Sequence, residues 1–181
     1  MAVFEQQWRE NYQEYLRLLL DSDYYDVTFD ALSGGVSAIH RFHHFDKAKG
    51  PFGIKRGDYE MHVVDVLRKK GASIILLSEQ DSEITSIKHC DALLNNHYAE
   101  IKTIESNGRW SVRTKIRTGA KQGANTIILY YPDSKLLNIE AIQEGWSLFE
   151  SDPFSVSFQS RVTKVVAIAG ERIIEIRKPS G

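Results

Sequence analysis

Two acidic residues and a lysine flank a short turn signal near the middle of the chain, in the segment CDALLNNHYAEIK. Asparagine tolerates the left-handed conformation that a two-residue hairpin turn requires, so Asn95 and Asn96 predict such a turn. That register pairs Asp91 with Glu100. Because strand side chains alternate between two faces, Lys102 then shares a face with both acids.

Directly opposed carboxylates repel each other, by about 0.2 to 1 kcal/mol when exposed and by more where water is excluded. The pattern therefore predicts a positive charge between them. Mg²⁺ prefers one or two carboxylate oxygens completed by water and phosphate oxygens, so a hard divalent cation is the first candidate. Lys102 supplies a second cation, which could orient an attacking water or stabilise charge developing on a phosphate. The alternative is a surface salt-bridge cluster in which Lys102 neutralises the two acids.

The order Asp91, eight intervening residues, then Glu100-Ile-Lys102 resembles the PD-(D/E)xK nuclease pattern. The resemblance covers roughly residues 59–131 and implies that Asp91 and Glu100 hold the metal while Lys102 assists phosphodiester hydrolysis. It adds Glu60 as an accessory acid that assists the ion through water. It also adds Gln122, on a later helix, to orient the substrate or Lys102. The family's proline before the first aspartate is replaced here by cysteine.

A wider set of segments is similar to toxin nuclease domains of bacterial polymorphic toxins and to phage-like head proteins: HHFDKAKG, YEMHVVDVLRKKGASIILLSE, DALLNNHYAEIK and KQGANTIILYY. These toxins include the tRNA-cleaving domains of contact-dependent inhibition systems. The resemblance implies cleavage of tRNA or other RNA, an immunity protein that blocks the site, and delivery as part of a longer chain. Some nucleases of this kind are thought to work without metal, which leaves the cation open.

Three histidines, His40, His43 and His44, occur close together, but with no cysteine partner and no helical i, i+4 pair they are a poor zinc motif. His44 has a different possible use. A histidine beside a lysine could act as general acid and base in metal-independent RNA cleavage, in which the 2′-hydroxyl is the nucleophile.

A run of basic residues without an acid follows the acidic pair: Arg109, Arg113, Lys115, Arg117 and Lys121. If this run borders the carboxylates, its phosphate contacts would place a scissile bond over them. The alternative is an ordinary solvated helix face. Trp110 could stack on a base, although core packing is the commoner use of such a residue.

Hydrophobic periodicity predicts the elements that position these residues. The first half is predicted to contain a helix over 3–20, a hairpin over 27–39, a loop over 40–57, a helix over 59–70 capped by Asp58, and the strand SIILLSE. A polar loop over 80–88 and the two strands around the asparagines follow. The remainder is predicted to contain a helix over 112–123 capped by Ser111, the strand NTIILYY, a helix over 139–149 and the closing hairpin TKVVAIAGERIIEIRK.

The chain has 181 residues, of which 42% are hydrophobic and 26% charged, and its net charge is −1. These values predict one globular domain over 1–181 with a nuclease-like core over about 58–132, and they argue against coating of nucleic acid through bulk charge. We find no apolar run long enough to span a membrane and no secretory pattern at the start. The single Cys90 favours a reducing compartment, so we expect a cytoplasmic site of action.

The predicted fold is therefore mixed α/β, a central mixed β-sheet flanked by helices, with the opening helix and the terminal hairpin added to a nuclease-like core. The favoured function is a nuclease effector that hydrolyses phosphodiester bonds in RNA, with tRNA as the first candidate. Mg²⁺ is the expected cofactor and an immunity protein the expected partner. Two alternatives remain, a PD-(D/E)xK DNA endonuclease and a non-catalytic binding module related to phage or mobile elements.

Overall fold

The structure, a computed structural model, describes residues 2–50, 53–79 and 90–178. The chain divides after Asn96 into two compact units. Each unit contains parallel and antiparallel strand pairs together with helices, so the predicted mixed α/β class is confirmed.

The first unit consists of helix α1 (Ala2–Leu19), strands β1 (Tyr24–Phe29) and β2 (Val36–His40), helix α2 (Arg56–Lys69), and strands β3 (Ser73–Leu76) and β4 (Ala92–Leu94). Its strands lie side by side in chain order. The pairs β1–β2 and β3–β4 are antiparallel, whereas β2 and β3 are parallel and are connected through α2. Leu18 of α1 packs with Val36, Ala38 and Ile75 of the strands to form a fully apolar core.

The second unit consists of strand β5 (His97–Thr103), helix α3 (Arg109–Lys121), strand β6 (Thr126–Tyr130), helix α4 (Ile139–Glu150), and strands β7 (Lys164–Ala169) and β8 (Arg172–Arg177). Strands β5, β6 and β7 are parallel neighbours, and β8 closes the unit as the antiparallel partner of β7. Every residue of β6 is buried, as expected for a parallel strand covered on both faces.

Two helices begin earlier than predicted, and neither uses the predicted cap. Helix α2 begins at Arg56, and Asp58 lies in its first turn, because the loop carbonyls of Ala48 and Asp46 already accept the N–H groups of Arg56 and Gly57. Helix α3 begins after Gly108, whose φ of 125° is a conformation that favours glycine. Ser111 therefore lies inside α3 and does not cap it.

The predicted two-residue turn is confirmed in the backbone. Asn95 and Asn96 both have positive φ, 48° and 66°. The Asn95 side chain also accepts a hydrogen bond from the Ser73 N–H, which fastens the turn to β3. The predicted polar loop over 80–88 lies outside the described residues.

Within the described ranges, no helix combines the length and the apolar character that crossing a membrane requires. Cys90 is buried and is not part of a disulfide.

Candidate functional site

The second unit holds Lys102 between a buried acid and an amide. Glu100 and Lys102 are two residues apart on β5, so their side chains leave the strand on the same face. Lys102 Nζ lies 2.9 Å from Glu100 Oε2 and donates a 2.8 Å hydrogen bond to Gln122 Oε1. The Glu100 side chain is only 1% exposed, and that of Lys102 is 17% exposed. We call Glu100, Lys102 and Gln122 the lysine cluster.

Gln122 reaches Lys102 because α3 lies unusually close to the sheet. A Cβ at Gly119 would lie 2.5 Å from Ile127 Cδ1 and 3.3 Å from Glu100 Cβ, so a side chain at this position would push the helix away. Gln122 is the C-cap residue of α3, and its N–H bonds back to Thr118 and Gly119. The lysine cluster therefore depends on one glycine and on where the helix ends.

The predicted substrate-binding residues do not form one free basic face. Arg113 Nη2 lies 2.8 Å from Asp152 Oδ2, and Arg117 Nε lies 3.7 Å from the same oxygen. Arg109 pairs with Glu144 at 3.2 Å. Acidic side chains of the second unit thus neutralise much of the charge of these arginines.

Asp152 is an internal anchor for that charge. The Ser155 hydroxyl lowers the pKa of Asp152 most, and the Phe154 N–H and the two arginines lower it further. Together these effects outweigh the opposite effect of burial.

The two lysines of the predicted basic run have other surroundings. Lys121 lies over the Phe158 ring at 6.0 Å. Lys115 is seven residues before Gln122, so the two share a face of α3.

Trp110 is not a core residue, contrary to the commoner use expected from the sequence. It is 59% exposed at the start of α3. The guanidinium groups of Arg109 and Arg113 lie 5.8 and 6.0 Å from its ring centroid. An exposed indole beside cationic groups is chemically suited to stacking on an unpaired base.

The first unit buries a histidine against acids. The His43 side chain is fully buried, and its Nδ1 donates a 2.8 Å hydrogen bond to the Leu77 carbonyl. Its Nε2 lies 3.6 Å from Glu60 Oε1, an ion-pair separation too long for a hydrogen bond. Glu79 Oε1 lies 3.8 Å from Nδ1. We call His43, Glu60, Glu79 and Asp91 the histidine–acid cluster.

Three members of this cluster, His43, Glu60 and Glu79, have raised pKa values. Burial raises the pKa of Glu60 and of Glu79, and the charge of Asp91 raises both further, while His43 partly opposes these effects. Burial alone would lower the pKa of His43, but Glu60, the Leu77 carbonyl and Glu79 outweigh it, so the net shift is upward. At these three groups the folded chain therefore binds protons more tightly than the unfolded chain.

The predicted acid–base residue His44 has a different setting. Its side chain is 73% exposed, and its Nδ1 lies 3.8 Å from Glu79 Oε2. The buried neighbour His43, rather than His44, makes the close contacts with acids and backbone. No signal in the sequence distinguishes the two adjacent histidines, since only packing decides which ring points inward.

These pKa shifts predict a pH dependence of stability. A folded-state pKa that is raised stabilises the protein below the unfolded pKa, and this stability is lost as pH rises through the folded value. We expect the free energy of unfolding to decrease as the pH rises above 4.5, through Glu60. It should decrease again as the pH rises above 6.5, through His43. Urea unfolding at a series of pH values measures it.

The matched comparison is Glu60→Gln against Glu171→Gln, an exposed acid in the β7–β8 turn. Glu60→Gln removes one titrating group and also the main influence that raises the His43 pKa, so its stability should decline less steeply with pH than that of the wild type. Glu171→Gln should follow the wild-type curve. Parallel curves for wild type and Glu60→Gln would contradict the assignment.

The sequence predicts three metal ligands, Glu60 and Asp91 in the first unit and Glu100 in the second. Their role as ligands stays a prediction, and so does the pairing of Asp91 with Glu100. Carboxylate oxygens suit Mg²⁺. Over residues 2–50, 53–79 and 90–178, no three His, Cys, Asp or Glu side chains form a group able to hold a metal ion. Within the second unit, Glu100 Oε2 faces the Lys102 ammonium.

Comparison with known proteins gives little further information. No protein-family model matches the sequence, and no curated protein matches it. Among solved structures, a chain of the CdiA-CT/CdiI toxin and immunity complex from Burkholderia pseudomallei is similar, with a TM-score of 0.49 and 16% identity over 78% of this chain and 99% of that chain. A likeness at this level says nothing about activity.

Proposed function

We propose that this chain is a nuclease that cleaves phosphodiester bonds in RNA, with tRNA as the favoured target. The observation that carries the proposal is the position of Lys102, held at 2.9 Å from Glu100 and 2.8 Å from Gln122. The acid, the lysine two residues later and the glutamine on the next helix are the residues in which the sequence resembles PD-(D/E)xK nucleases. The tertiary structure brings these three side chains into contact.

The lysine cluster has chemistry suited to phosphoryl transfer. An ammonium group held in place stabilises the negative charge that develops on a phosphate in the transition state, and it needs no reorganisation to do so. Gln122 Oε1 accepts a hydrogen bond from Lys102 Nζ and so restricts the direction of the ammonium group. Glu100 Oε2 lies 2.9 Å from the ammonium group and holds it next to the strand. Mg²⁺ requires only one or two carboxylates besides water and phosphate oxygens, and if members of the predicted set bound it, it would polarise the scissile phosphate.

Substrate contacts are proposed for the basic residues of α3. Lys115 lies on the helix face of Gln122, and Lys121 is exposed in the last turn. Arg109, Arg113 and Arg117 add positive charge, although acids partly neutralise it. Phosphate contacts of this kind fix the position of a strand without reading its sequence.

The biological role that we propose is a toxic effector of a bacterial competition or phage-related system, acting in the cytosol and blocked by an immunity protein. It is supported by the resemblance of the quoted sequence segments to polymorphic toxin nucleases. Binding of the product of a neighbouring open reading frame, with loss of cleavage in the complex, would test the partner.

A single assay tests the function against its alternatives. The purified chain is incubated with tRNA, bulk RNA and plasmid DNA, with and without a chelator. We expect cleavage of tRNA that stops when the chelator is present. Cleavage of plasmid alone would favour the DNA endonuclease, and inertness toward all three substrates would favour the non-catalytic binding module. Product ends decide the mechanism, because activated water normally leaves a 5′-phosphate and attack by the 2′-hydroxyl leaves a 2′,3′-cyclic phosphate.

Removing the glutamine acceptor should slow cleavage without unfolding the protein. We expect Gln122→Leu to lower kcat by about tenfold, since Lys102 loses the bond that directs it while remaining paired with Glu100. Gln122→Glu keeps an acceptor oxygen and should restore much of the rate. The matched control is Gln143→Leu, an exposed glutamine of α4. Equal activity of Gln122→Leu and wild type would remove Gln122 from the site.

A further inference from the structure

A cleft of about 830 Å³ opens in the first unit, bounded by β1, the loop after β2 and the start of α2. Its volume lies within the range of pockets that hold small organic ligands. The proposed reaction uses the lysine cluster of the second unit and assigns no role to this cleft. The residues that line the cleft all belong to the first unit.

A buried polar atom points to a ligand for this cleft. His43 lines the cleft although its side chain is fully buried. Its Nδ1 is satisfied by the Leu77 carbonyl, whereas its Nε2 makes no hydrogen bond among the residues that the structure describes and lies 3.6 Å from the Glu60 carboxylate. A buried polar atom without a hydrogen bond is rare, and a ligand group or a water would supply one.

The walls of the cleft indicate a flat ligand. Tyr25 and Phe45 supply aromatic surface to the lining, and the Phe45 ring makes an edge-to-face contact with His43 at 5.0 Å. Tyr25 is 43% exposed, so its ring is available to a ligand. Aromatic side chains of this kind are the usual stacking partners of unpaired bases.

The charges of the cleft decide between a base and a phosphate. Three carboxylates line it, Asp26, Asp46 and Asp58, against two lysines, Lys47 and Lys55. A bare phosphate would be repelled by this excess of acids. An amino group on a base is attracted, because a carboxylate is purely an acceptor. Asp46 already accepts the Ala48 N–H, so Asp26 and Asp58 are the acceptors that remain for a ligand.

We propose that this cleft binds an unpaired nucleobase that carries an exocyclic amine, that is cytosine, adenine or guanine in preference to uracil. The base stacks against Tyr25, its amine donates to Asp26 or Asp58, and a ring or carbonyl atom meets His43 Nε2. The inference rests on the proposed function, since it names the part of a single-stranded RNA substrate that the first unit reads.

The test measures binding of free mononucleotides and requires no cleavage. CMP and UMP form the sharpest pair, because they differ by an amine and a carbonyl at one ring position. With the whole chain labelled with ¹⁵N, we expect CMP, AMP and GMP to shift the His43 ring resonance, and UMP to bind about tenfold more weakly than CMP. Absence of any shift at His43, or equal binding of CMP and UMP, would overturn the proposal.

Variants of exposed residues avoid the risk of unfolding. Tyr25→Ala should weaken CMP binding by about tenfold, the usual effect of losing one base stack. Phe154→Ala, an exposed aromatic of the second unit, is the control and should leave binding unchanged. The double variant Asp26→Asn/Asp58→Asn should remove the preference for CMP over UMP. Asp26 has a φ of 48°, which asparagine tolerates, so the backbone is preserved.

The result separates this inference from the proposed function. CMP binding by a chain that cleaves no nucleic acid would uphold the cleft and refute the nuclease. Cleavage of RNA by a chain whose cleft takes no base would refute the cleft alone. A Tyr25→Ala variant that binds CMP as tightly as wild type would also refute the cleft.

Discussion

Replacing Lys102 by methionine should lower the rate of RNA cleavage by about 10²- to 10³-fold, which is the usual effect of removing one preorganised group that stabilises transition-state charge. Methionine keeps most of the length of the side chain and removes its charge. Initial rates on tRNA measure the effect. The matched control is Lys135→Met, an exposed lysine in the same unit, which should cleave at the wild-type rate.

The same substitution should also destabilise the protein, because Glu100 is 1% exposed and Lys102 Nζ lies 2.9 Å from it. Removing one member of a buried ion pair leaves an uncompensated charge and costs about 3 to 5 kcal/mol. The partly exposed lysine places the expected loss at the lower end of this range. Urea unfolding measures it.

A double variant separates the two effects. In Glu100→Gln/Lys102→Met neither member of the pair is charged, so the free energy of unfolding should recover toward the wild-type value, while cleavage should stay lost. Full activity in either variant would show that Lys102 does no chemistry. Recovery of both stability and activity in the double variant would reduce the lysine cluster to a structural salt bridge.

Replacing Gly119 by alanine should both destabilise the second unit and slow cleavage. Alanine favours a helix over glycine by up to about 1 kcal/mol. The added Cβ would, however, lie 2.5 Å from Ile127 Cδ1 in a fully buried region, and overpacking of a core costs about 1 to 3 kcal/mol. The clash should prevail over the propensity. If α3 shifts outward, Gln122 loses its 2.8 Å bond to Lys102.

The double variant Gly119→Ala/Ile127→Val provides the rescue, because valine lacks the Cδ1 atom that the new methyl group would meet. Ile127→Val alone should cost about 0.5 to 1.5 kcal/mol. The double variant should therefore be more stable than the two single changes added together, and it should regain activity. Additive losses would show that α3 does not approach β6 as closely as the structure has it.

The elements were largely predictable because their signals are local. The apolar periodicity of α1, the apolar run of β6 and the paired asparagines each act within a few residues. The structure confirms the helix, the buried strand and the turn, although Phe4, Leu16 and Leu19 of the α1 stripe are exposed. The starts of α2 and α3 were predicted too late. Loop carbonyls accept hydrogen bonds from the first N–H groups of α2. These carbonyls lie outside the few residues that a capping pattern covers, so the pattern does not reveal them.

The candidate site was predictable in part. The spacing of Glu100 and Lys102 placed these two residues on one face of a strand, and the resemblance to PD-(D/E)xK nucleases added Gln122. The three side chains are in contact, and their catalytic role stays a prediction. The role of Gly119 could not be foreseen, since a glycine in a helix has no visible partner in the sequence. The pairing of Arg113 and Arg117 with Asp152 could not be foreseen either, because Asp152 lies far from both arginines in the sequence.

The sequence by itself determined the secondary elements, the mixed α/β class and the two-residue turn, because periodicity and backbone conformation are properties of neighbouring residues. Only the tertiary structure decided which of the candidate side chains are buried and which are exposed. It buried His43 and exposed His44, and it exposed Trp110. Burial and ion pairing depend on residues that meet in space after folding, and no local pattern records them.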